Sequence, residues 1–396
     1  MTTARFPARD KVAIVGLGST QYTRDGGKTA PALAIEASQQ AIRDAGLNAQ
    51  DIDGLIGGSW NASPAPVYMQ AALGIEEVTW TVHHLIPFAT LVISAMNAVF
   101  SGVCTTALVY AGLNRMPGLS RSASKDPFRQ RMVNNLGGLQ LNGRQIPGLS
   151  SSYSGWMQRY MHQYGATRED FGRLCISDRS YAADNPRAIF RNTPLTMEQY
   201  LDARMVREPM CMLDMDIPID GADAIVITTV ERARDLKKKP VIIHAATYGQ
   251  VIHAEDDQMP SLDNFSKHAV MRNLWPKSEL TLKDMDIFFP YDGFSIIYMN
   301  DIEMAGYCKR GEAPDFVKSN WDAKTNRFKI NDKILVNPHG GALSEGGNQS
   351  AGHVREAITQ LRGEAGARQA QNELKNALLI SGSLFFNTVG LVLRTE

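Results

Sequence analysis

Short apolar runs that end in glycine alternate along this chain with stretches of helical periodicity. Residues 11–18 form the first such run, which is typical of a buried strand. The helix predicted next is bounded by Thr29 as a candidate N-cap, Pro31 in its first turn and Gly46 at the position of a left-handed C-terminal stop. The order strand, helix, strand then continues through residues 51–56, 88–100 and 105–112, which predicts an α/β layer structure.

The same order of elements returns in the second half of the chain. Three strand candidates match three of the first half: residues 240–247 match 11–18, residues 284–289 match 51–56, and residues 375–382 match 105–112. A glycine-rich turn and a helical stretch at 351–362 stand where the first half has its helix from Phe88. Matching order with drifting offsets predicts two related halves. We expect them to pack as a duplicated five-layer αβαβα sandwich, with the functional cleft where the two central helices meet.

An insertion interrupts the first half. Residues 113–219 are rich in methionine, arginine and aromatic residues and are predicted to form helices and loops, after which residues 220–229 resume the sheet. We therefore expect an N-terminal half made of residues 1–112 and 220–236, an insertion at 113–219, and a C-terminal half at 237–396.

Composition excludes several classes of function. The 396 residues include 41 Lys+Arg and 41 Asp+Glu, so the formal net charge is 0 and electrostatic binding to nucleic acid or to an anionic membrane is not expected. Neither a membrane span nor an apolar signal segment is evident, which predicts a cytoplasmic protein. Gln21 replaces the third glycine of a dinucleotide-binding loop, so no nucleotide cofactor is expected. The four cysteines are widely spaced, which favours reduced thiols over a metal site.

Two polar turns carry the candidate chemistry. An apolar strand candidate leads into Tyr291, Asp292 and Gly293, and the ends of strands in α/β folds are where chemistry is placed. The alternative is that Tyr291 only closes a turn. The second turn, residues 337–347, contains peptide groups flexible enough to approach a ligand closely, although by itself it indicates only a tight turn before a helix.

Together these segments resemble the thiolase superfamily, in particular its sterol-carrier-type and lipid-transfer-type members, over nearly the whole chain. The segments that carry the resemblance are residues 12–16, 220–224, 291–295, 337–346 and 378–393. The resemblance implies the duplicated sandwich, a homodimer, and an acyl-coenzyme A thioester bound in the cleft between the halves. Coenzyme A then enters as part of the substrate, and the chain itself holds no cofactor and no metal.

The departures from that family bear on the reaction. A thiolase has a nucleophilic cysteine at the start of the first central helix, and residues 82–88 contain none. Its activating histidine is replaced here by Gly347, its second cysteine by serine near Ser383, and its usual histidine or asparagine by Tyr291. Covalent acyl transfer needs an activated nucleophile beside a base, so an ordinary Claisen mechanism is not expected.

The YDGF segment at residues 291–294 is similar to that of the lipid-transfer-type aldolases of steroid side-chain breakdown, whose tyrosine in this motif is implicated in a retro-aldol step. By that resemblance Tyr291 is the leading acid/base candidate. Those aldolases carry a second functional tyrosine where this chain has Ala351, and the candidates to replace it are His84, Ser350 and His353. The residues expected to bind the thioester and its oxyanion are Asp292, Gly293, Asn337, His339, Gly340, Gly341 and Ser383.

We therefore expect a carbon–carbon lyase, a retro-aldolase, that acts on a bulky β-hydroxyacyl-coenzyme A without a covalent cysteine intermediate, in steroid or aromatic side-chain degradation. Two alternatives stay open: a noncatalytic acyl-coenzyme A-binding, sterol-binding or scaffolding subunit, and a Claisen-type thiolase. Such aldolases commonly work with a small partner that has an OB-fold and a zinc ribbon. This sequence has no zinc-ribbon cysteine spacing, so that partner would be a separate chain.

Overall fold

The computed structural model describes residues 6–58, 63–84, 87–114, 149–251, 261–370, 373–384 and 388–396. The strands of these residues are β1 Val12–Ser19, β2 Gly54–Gly58, β3 Trp80–His84, β4 Thr106–Asn114, β5 Met205–Arg207, β6 Met210–Cys211, β7 Asp220–Thr229, β8 Val241–Gly249, β9 Ile287–Phe289, β10 Trp321–Asp322, β11 Arg327–Ile330, β12 Ile334–Val336, β13 Asn376–Ser381 and β14 Thr388–Arg394. The helices are α1 Ala30–Asp44, α2 Pro66–Leu73, α3 Phe88–Ser101, α4 Leu149–Tyr164, α5 Arg168–Ala182, α6 Met197–Leu201, α7 Val230–Ala233, α8 Ser266–Leu274, α9 Ser295–Ala305, α10 Ala313–Ser319 and α11 Ala351–Arg362.

Two halves of the main sheet have the same strand order and the same strand directions. The first half runs β1-β7-β4-β2-β3 and the second runs β8-β14-β13-β9-β12, which β11 and β10 extend. In each half the first three strands are antiparallel neighbours and the last three are parallel neighbours. The halves join where β1 pairs with β8 over two residues of each strand. The predicted duplication is therefore confirmed.

Alternating side chains divide the core into layers. Val12 and Ile14 of β1 belong to the core cluster formed with α3 and α11, whereas Ala13 and Val15 pack with α1 on the other face. The same alternation holds in β9, where Phe288 faces the layer of α4, α5, α8 and α9 and its two neighbours face α3 and α11. Helices α3 and α11 thus lie between two half-sheets, each covered outside by further helices. This is the predicted five-layer sandwich.

The insertion packs on the outer face of the second half-sheet. Its described part, residues 149–219, contains α4, α5, α6 and the hairpin of β5 and β6. Residues 115–148 of the predicted insertion lie outside the described residues, and β4 continues to Asn114, two residues past the predicted end of the first half. The domain boundaries stay a prediction. Among the described helices, none combines the length and apolar character that a membrane crossing needs.

The glycines of β1 have a packing role. A Cβ at Gly18 would lie 2.0 Å from the carbonyl oxygen of Ala37 in α1, and a Cβ at Gly16 would lie 2.2 Å from that of Ala41. Helix α1 therefore rests directly on the backbone of β1. The side-chain Oγ1 of Thr29 accepts a hydrogen bond from Ala32 N–H at 3.4 Å and caps the N-terminus of α1, as predicted.

We expect Gly18→Ala to lower the free energy of unfolding by about 1–3 kcal/mol, because the added methyl group meets helix backbone that cannot move aside. Gly155→Ala is the matched control, since a Cβ there meets nothing within 4 Å in the exposed middle of α4. Replacing that glycine should leave stability unchanged or raise it by about 0.5–1 kcal/mol. Thermal unfolding followed by circular dichroism measures both, and equal midpoints for the two variants would contradict the close packing of α1 on β1.

Candidate active site

The candidate residues lie at the carboxyl ends of three parallel strands. Tyr291 follows β9 by two residues, Asn337 follows β12 directly, and Ser383 follows β13 by two residues. Because β12 and β13 are both parallel to β9, these chain ends meet at one edge of the second half-sheet. The first turn of α11, which contains His353, completes the group.

Tyr291 is held from its backbone side by a buried ion pair. Its N–H donates to Asp301 Oδ2 at 2.9 Å, and both oxygens of Asp301 lie 2.5–2.6 Å from Lys267 Nζ. Burial raises the pKa of Asp301 to about 6, against the opposing effect of the Lys267 charge. The phenol ring lies over Gly293, where a Cβ would stand 2.7 Å from the ring. Glycine is thus required there for the ring to take this position.

Asp292 is fully buried and accepts hydrogen bonds from two segments. Its Oδ1 and Oδ2 accept from the N–H groups of Ala342 and Leu343, each at 2.9 Å, and Oδ1 lies 2.7 Å from His353 Nε2. The carboxylate therefore fixes both a backbone turn and an imidazole. Its predicted contact with substrate is not supported by this geometry, because its oxygens face protein donors.

His353 joins the two candidate turns. Its ring lies 5.7 Å from the Tyr291 ring and 4.8 Å from the His339 ring, measured between centroids. Both ring nitrogens of His339 are buried and have no hydrogen-bond partner among the described residues. Burial, followed by the charges of His353 and Arg355, lowers the pKa of His339 well below its ordinary value, so this ring is neutral.

The glycine-rich turn contains a single turn of π-helix at Gly341–Glu345. Gly340 and Gly341 have φ angles of 96° and 59°, a backbone region that favours glycine. A Cβ at Gly340 would lie 2.6 Å from Cβ of Ala182 in α5. The backbone at Gly340 is therefore closely approached by helix α5, where a ligand had been expected. Substrate binding by Gly340 and Gly341 stays a prediction. Asn337 turns the chain with φ 47° and donates from Nδ2 to the carbonyl oxygen of Pro290 at 3.1 Å.

The insertion forms one side of both turns. Its residues 189, 190 and 217 donate backbone N–H groups to the carbonyl oxygens of residues 345, 344 and 342, and Asp216 N–H donates to the carbonyl oxygen of Gly293. Arg355 of α11 extends the support inward, because its buried guanidinium pairs with Glu345 and with Asp223 of β7. All three parts of the chain thus contribute to holding the site.

Three other predicted site residues, His84, Ser350 and Ser383, differ in their exposure to solvent. His84 is exposed at the end of the edge strand β3, outside the group around His353. Ser350 is buried with φ 68°, and its hydroxyl donates to the carbonyl oxygen of Gln349 at 2.5 Å. That same carbonyl accepts from Phe88 N–H at 3.0 Å, which brings the first turns of α3 and α11 together. Ser383 is half-buried beside Gly382, whose φ is 90°.

The four cysteines are free thiols, of which Cys104, Cys175 and Cys211 are buried and Cys308 is half-buried. Burial raises the pKa of Cys104 to about 12, that of Cys211 to about 11 and that of Cys308 to about 12. Cys175 is fully buried, which also raises its pKa well above the ordinary value. Thiols in such surroundings stay protonated and are poor nucleophiles. In the described parts of the chain, no three histidine, cysteine, aspartate or glutamate side chains are grouped as metal ligands.

Sequence reasoning missed Asp178, Asp301 and Lys267. All three are buried ionisable side chains: Asp301 accepts from Tyr291 N–H and pairs with Lys267, and Asp178 adjoins Asp292. The sequence signal for Asp178 was its place on the apolar stripe of α5, four residues after Leu174 and three before Tyr181. A carboxyl group is unusual on such a buried face.

Comparisons with known proteins agree with this architecture. A family model described as thiolase C-terminal domain-like matches residues 250–395. A Mycobacterium tuberculosis protein named 17-hydroxy-3-oxo-4-pregnene-20-carboxyl-CoA lyase is 33% identical over 369 residues, 89% of this chain and 92% of its own length. The steroid side-chain-cleaving aldolase of Thermomonospora curvata is 29% identical over 97% of this chain and 98% of its own. A solved structure described as an Ltp2-ChsH2(DUF35) aldolase superposes with a TM-score of 0.85 at 28% identity and covers 98% of both chains. This chain therefore belongs to the thiolase superfamily, among the thiolase-like proteins that include the steroid side-chain-cleaving aldolases.

Proposed function

We propose that the protein is a thiolase-fold retro-aldolase that cleaves the Cα–Cβ bond of a β-hydroxyacyl-coenzyme A ester, with Tyr291 and His353 as its acid/base pair. The observation that carries this proposal is the approach of the two rings to 5.7 Å, with the imidazole fixed on the buried Asp292. Burial raises the pKa of every cysteine of the chain, which disfavours the thiolate and supports a route without an acyl-enzyme. The relatives named lyase and aldolase are of the same reaction class.

His353 is suited to accept the β-hydroxyl proton. In the tautomer whose Nε2–H donates to Asp292 at 2.7 Å, the lone pair of the ring is on Nδ1. Removal of the hydroxyl proton lets the oxygen form a carbonyl group as the Cα–Cβ bond breaks. The bonding electrons pass to the thioester as an enolate, and the ketone or aldehyde is released.

Tyr291 is suited to return a proton to that enolate. A phenol is both a donor and an acceptor, and this one stands beside the imidazole that has just been protonated. Donation of the phenolic proton to the α-carbon gives the shortened acyl-coenzyme A, and proton transfer from His353 to Tyr291 restores both groups. The reaction is balanced without water, metal or a resident cofactor as reactant.

The relatives support a proposal for the acyl group and for the assembly. We propose a bulky acyl group of the steroid class, as in the compound named for the Mycobacterium tuberculosis relative. A small separate partner is proposed because the solved aldolase is described together with a DUF35 protein. The predicted OB-fold and zinc ribbon of that partner, the homodimer and the cytoplasmic location stay predictions.

Tyr291→Phe should lower kcat by at least about 100-fold, because it removes the proton donor and keeps the ring. The assay follows release of the ketone and of the shortened acyl-coenzyme A from a steroid β-hydroxyacyl-coenzyme A by liquid chromatography and mass spectrometry, with the partner present. Tyr307→Phe is the control, since that buried hydroxyl has no partner in the described residues and its ring packs on Phe288 and Phe316 outside the site.

Full turnover by Tyr291→Phe would show that Tyr291 has no role in the mechanism. Ligand binding without turnover by the unmodified protein would favour the carrier alternative, and an acylated cysteine would favour the Claisen alternative.

His353→Gln should lower kcat by about 100-fold or more while binding of the acyl-coenzyme A changes little. Glutamine still donates a hydrogen bond toward Asp292 but has no basic nitrogen, so the variant separates proton transfer from support of the carboxylate. His162→Gln, an exposed change on α4, is the control. Steady-state kinetics and isothermal titration calorimetry measure the two effects, and a variant that loses only affinity would assign His353 to binding.

A further inference from the structure

We propose that Asp178 of the insertion is a protonated carboxylic acid that donates its proton to Asp292, and that this hydrogen bond positions His353 for proton transfer. The role in positioning rests on the proposed function, whereas the protonation of Asp178 does not. Asp178 is a positioning residue, because it acts on the reaction through Asp292 and His353.

The two carboxyl groups meet at one point of the glycine-rich turn. A Cβ placed on Gly341 would lie 2.0 Å from Asp292 Oδ2 and 2.7 Å from Asp178 Oδ2. Both side chains are fully buried. Helix α5 and the turn after β9 thus bring two fully buried acidic groups side by side.

The hydrogen bonds around Asp292 leave a place for one more donor. Oδ1 accepts from Ala342 and His353, and Oδ2 accepts from Leu343. A carboxylate has about four acceptor sites, and the fourth faces Asp178. Neither oxygen of Asp178 has a hydrogen-bond partner among the described residues if both acids are ionised. A single proton on Asp178 satisfies the pair, whereas two buried negative charges in contact would be costly.

The surroundings decide which acid keeps the proton. Burial and then the charge of Asp292 raise the pKa of Asp178 well above its ordinary value. Burial also acts to raise the pKa of Asp292, but the hydrogen bonds from His353, Asp178 and Ala342 lower it overall. Asp178 therefore holds the proton and Asp292 the negative charge. The Tyr298 hydroxyl and the Asn337 side chain also adjoin Asp178 and act to lower its pKa, but burial and Asp292 outweigh them.

This arrangement has a direct effect on the imidazole. The pair carries one negative charge, located on Asp292, whose Oδ1 lies 2.7 Å from Nε2 of His353. That charge keeps the proton on Nε2 and leaves Nδ1 as the basic atom. Without the Asp178 donor, Asp292 could turn its Oδ2 away from Leu343, and both the imidazole and the turn would lose their fixed positions.

The experiment compares Asp178→Asn and Asp178→Ala. Asparagine keeps the shape and offers an amide N–H donor, so its kcat should stay within about threefold of the unmodified enzyme. Alanine removes the donor, and kcat should fall by about 10–100-fold with little change in KM. Asp170→Asn is the matched control, because that buried acid of the same helix lies away from the site. Its side chain accepts from the N–H of Thr167 at the helix N-terminus and pairs with Arg173. This change should affect stability and leave kcat unchanged.

Two measurements do not depend on turnover. Difference infrared spectroscopy at pH 8 of the unmodified protein minus Asp178→Asn should show the carbonyl band of a protonated carboxyl group, which a carboxylate lacks. The low-field nuclear magnetic resonance signal of the His353 Nε2 proton should persist in Asp178→Asn and shift in Asp178→Ala. Absence of the infrared band, or equal loss of kcat in folded Asp178→Asn and Asp178→Ala, would overturn the proposal. If the unmodified protein shows both spectroscopic signals but releases no ketone, the proposed function fails and the protonated pair stands.

Discussion

A buried carboxylate must be surrounded by hydrogen-bond donors, and the site is built around this requirement at Asp292. Its donors come from the π-helical turn and from α11, and its neighbour Asp178 comes from the insertion. These segments are far apart in the sequence, so each depends on the others for its position. The phenol of Tyr291 and the imidazole of His353 are held at their short separation as a result.

Backbone hydrogen bonds reinforce the same connection. The segment 189–217 donates to three carbonyl groups of the glycine-rich turn and accepts from Gly347 N–H. Behind the turn, Glu345 pairs with Arg355, which also reaches Asp223 in the first half-sheet. Buried ion pairs of this kind contribute little net stability, but removal of one partner leaves an uncompensated charge. Their effect here is to fix the relative positions of the two halves and the insertion around the site.

The sequence was sufficient for the fold because strand order and apolar alternation are local properties that repeat. The pairs β1 and β8, β2 and β9, and β4 and β13 were recognisable from their residues alone, and Tyr291 was placed at a strand end for the same reason. Contacts between distant segments were not recognisable. Asp178 lies in the insertion, which was predicted only to form helices and loops, and Asp292 was assigned to substrate because nothing local shows that Ala342 and Leu343 donate to it.

The reciprocal bonding of Ile217 has a consequence for protein engineering. Its N–H donates to the carbonyl oxygen of Ala342, and its carbonyl oxygen accepts from Gly347 N–H. The insertion and the glycine-rich turn are thus joined by backbone hydrogen bonds in both directions. Gene recombination between related sequences would separate these interacting segments if a crossover fell between residues 168–219 and residues 337–353. Libraries that aim at new acyl specificity keep these two blocks from one parent and draw their diversity from elsewhere.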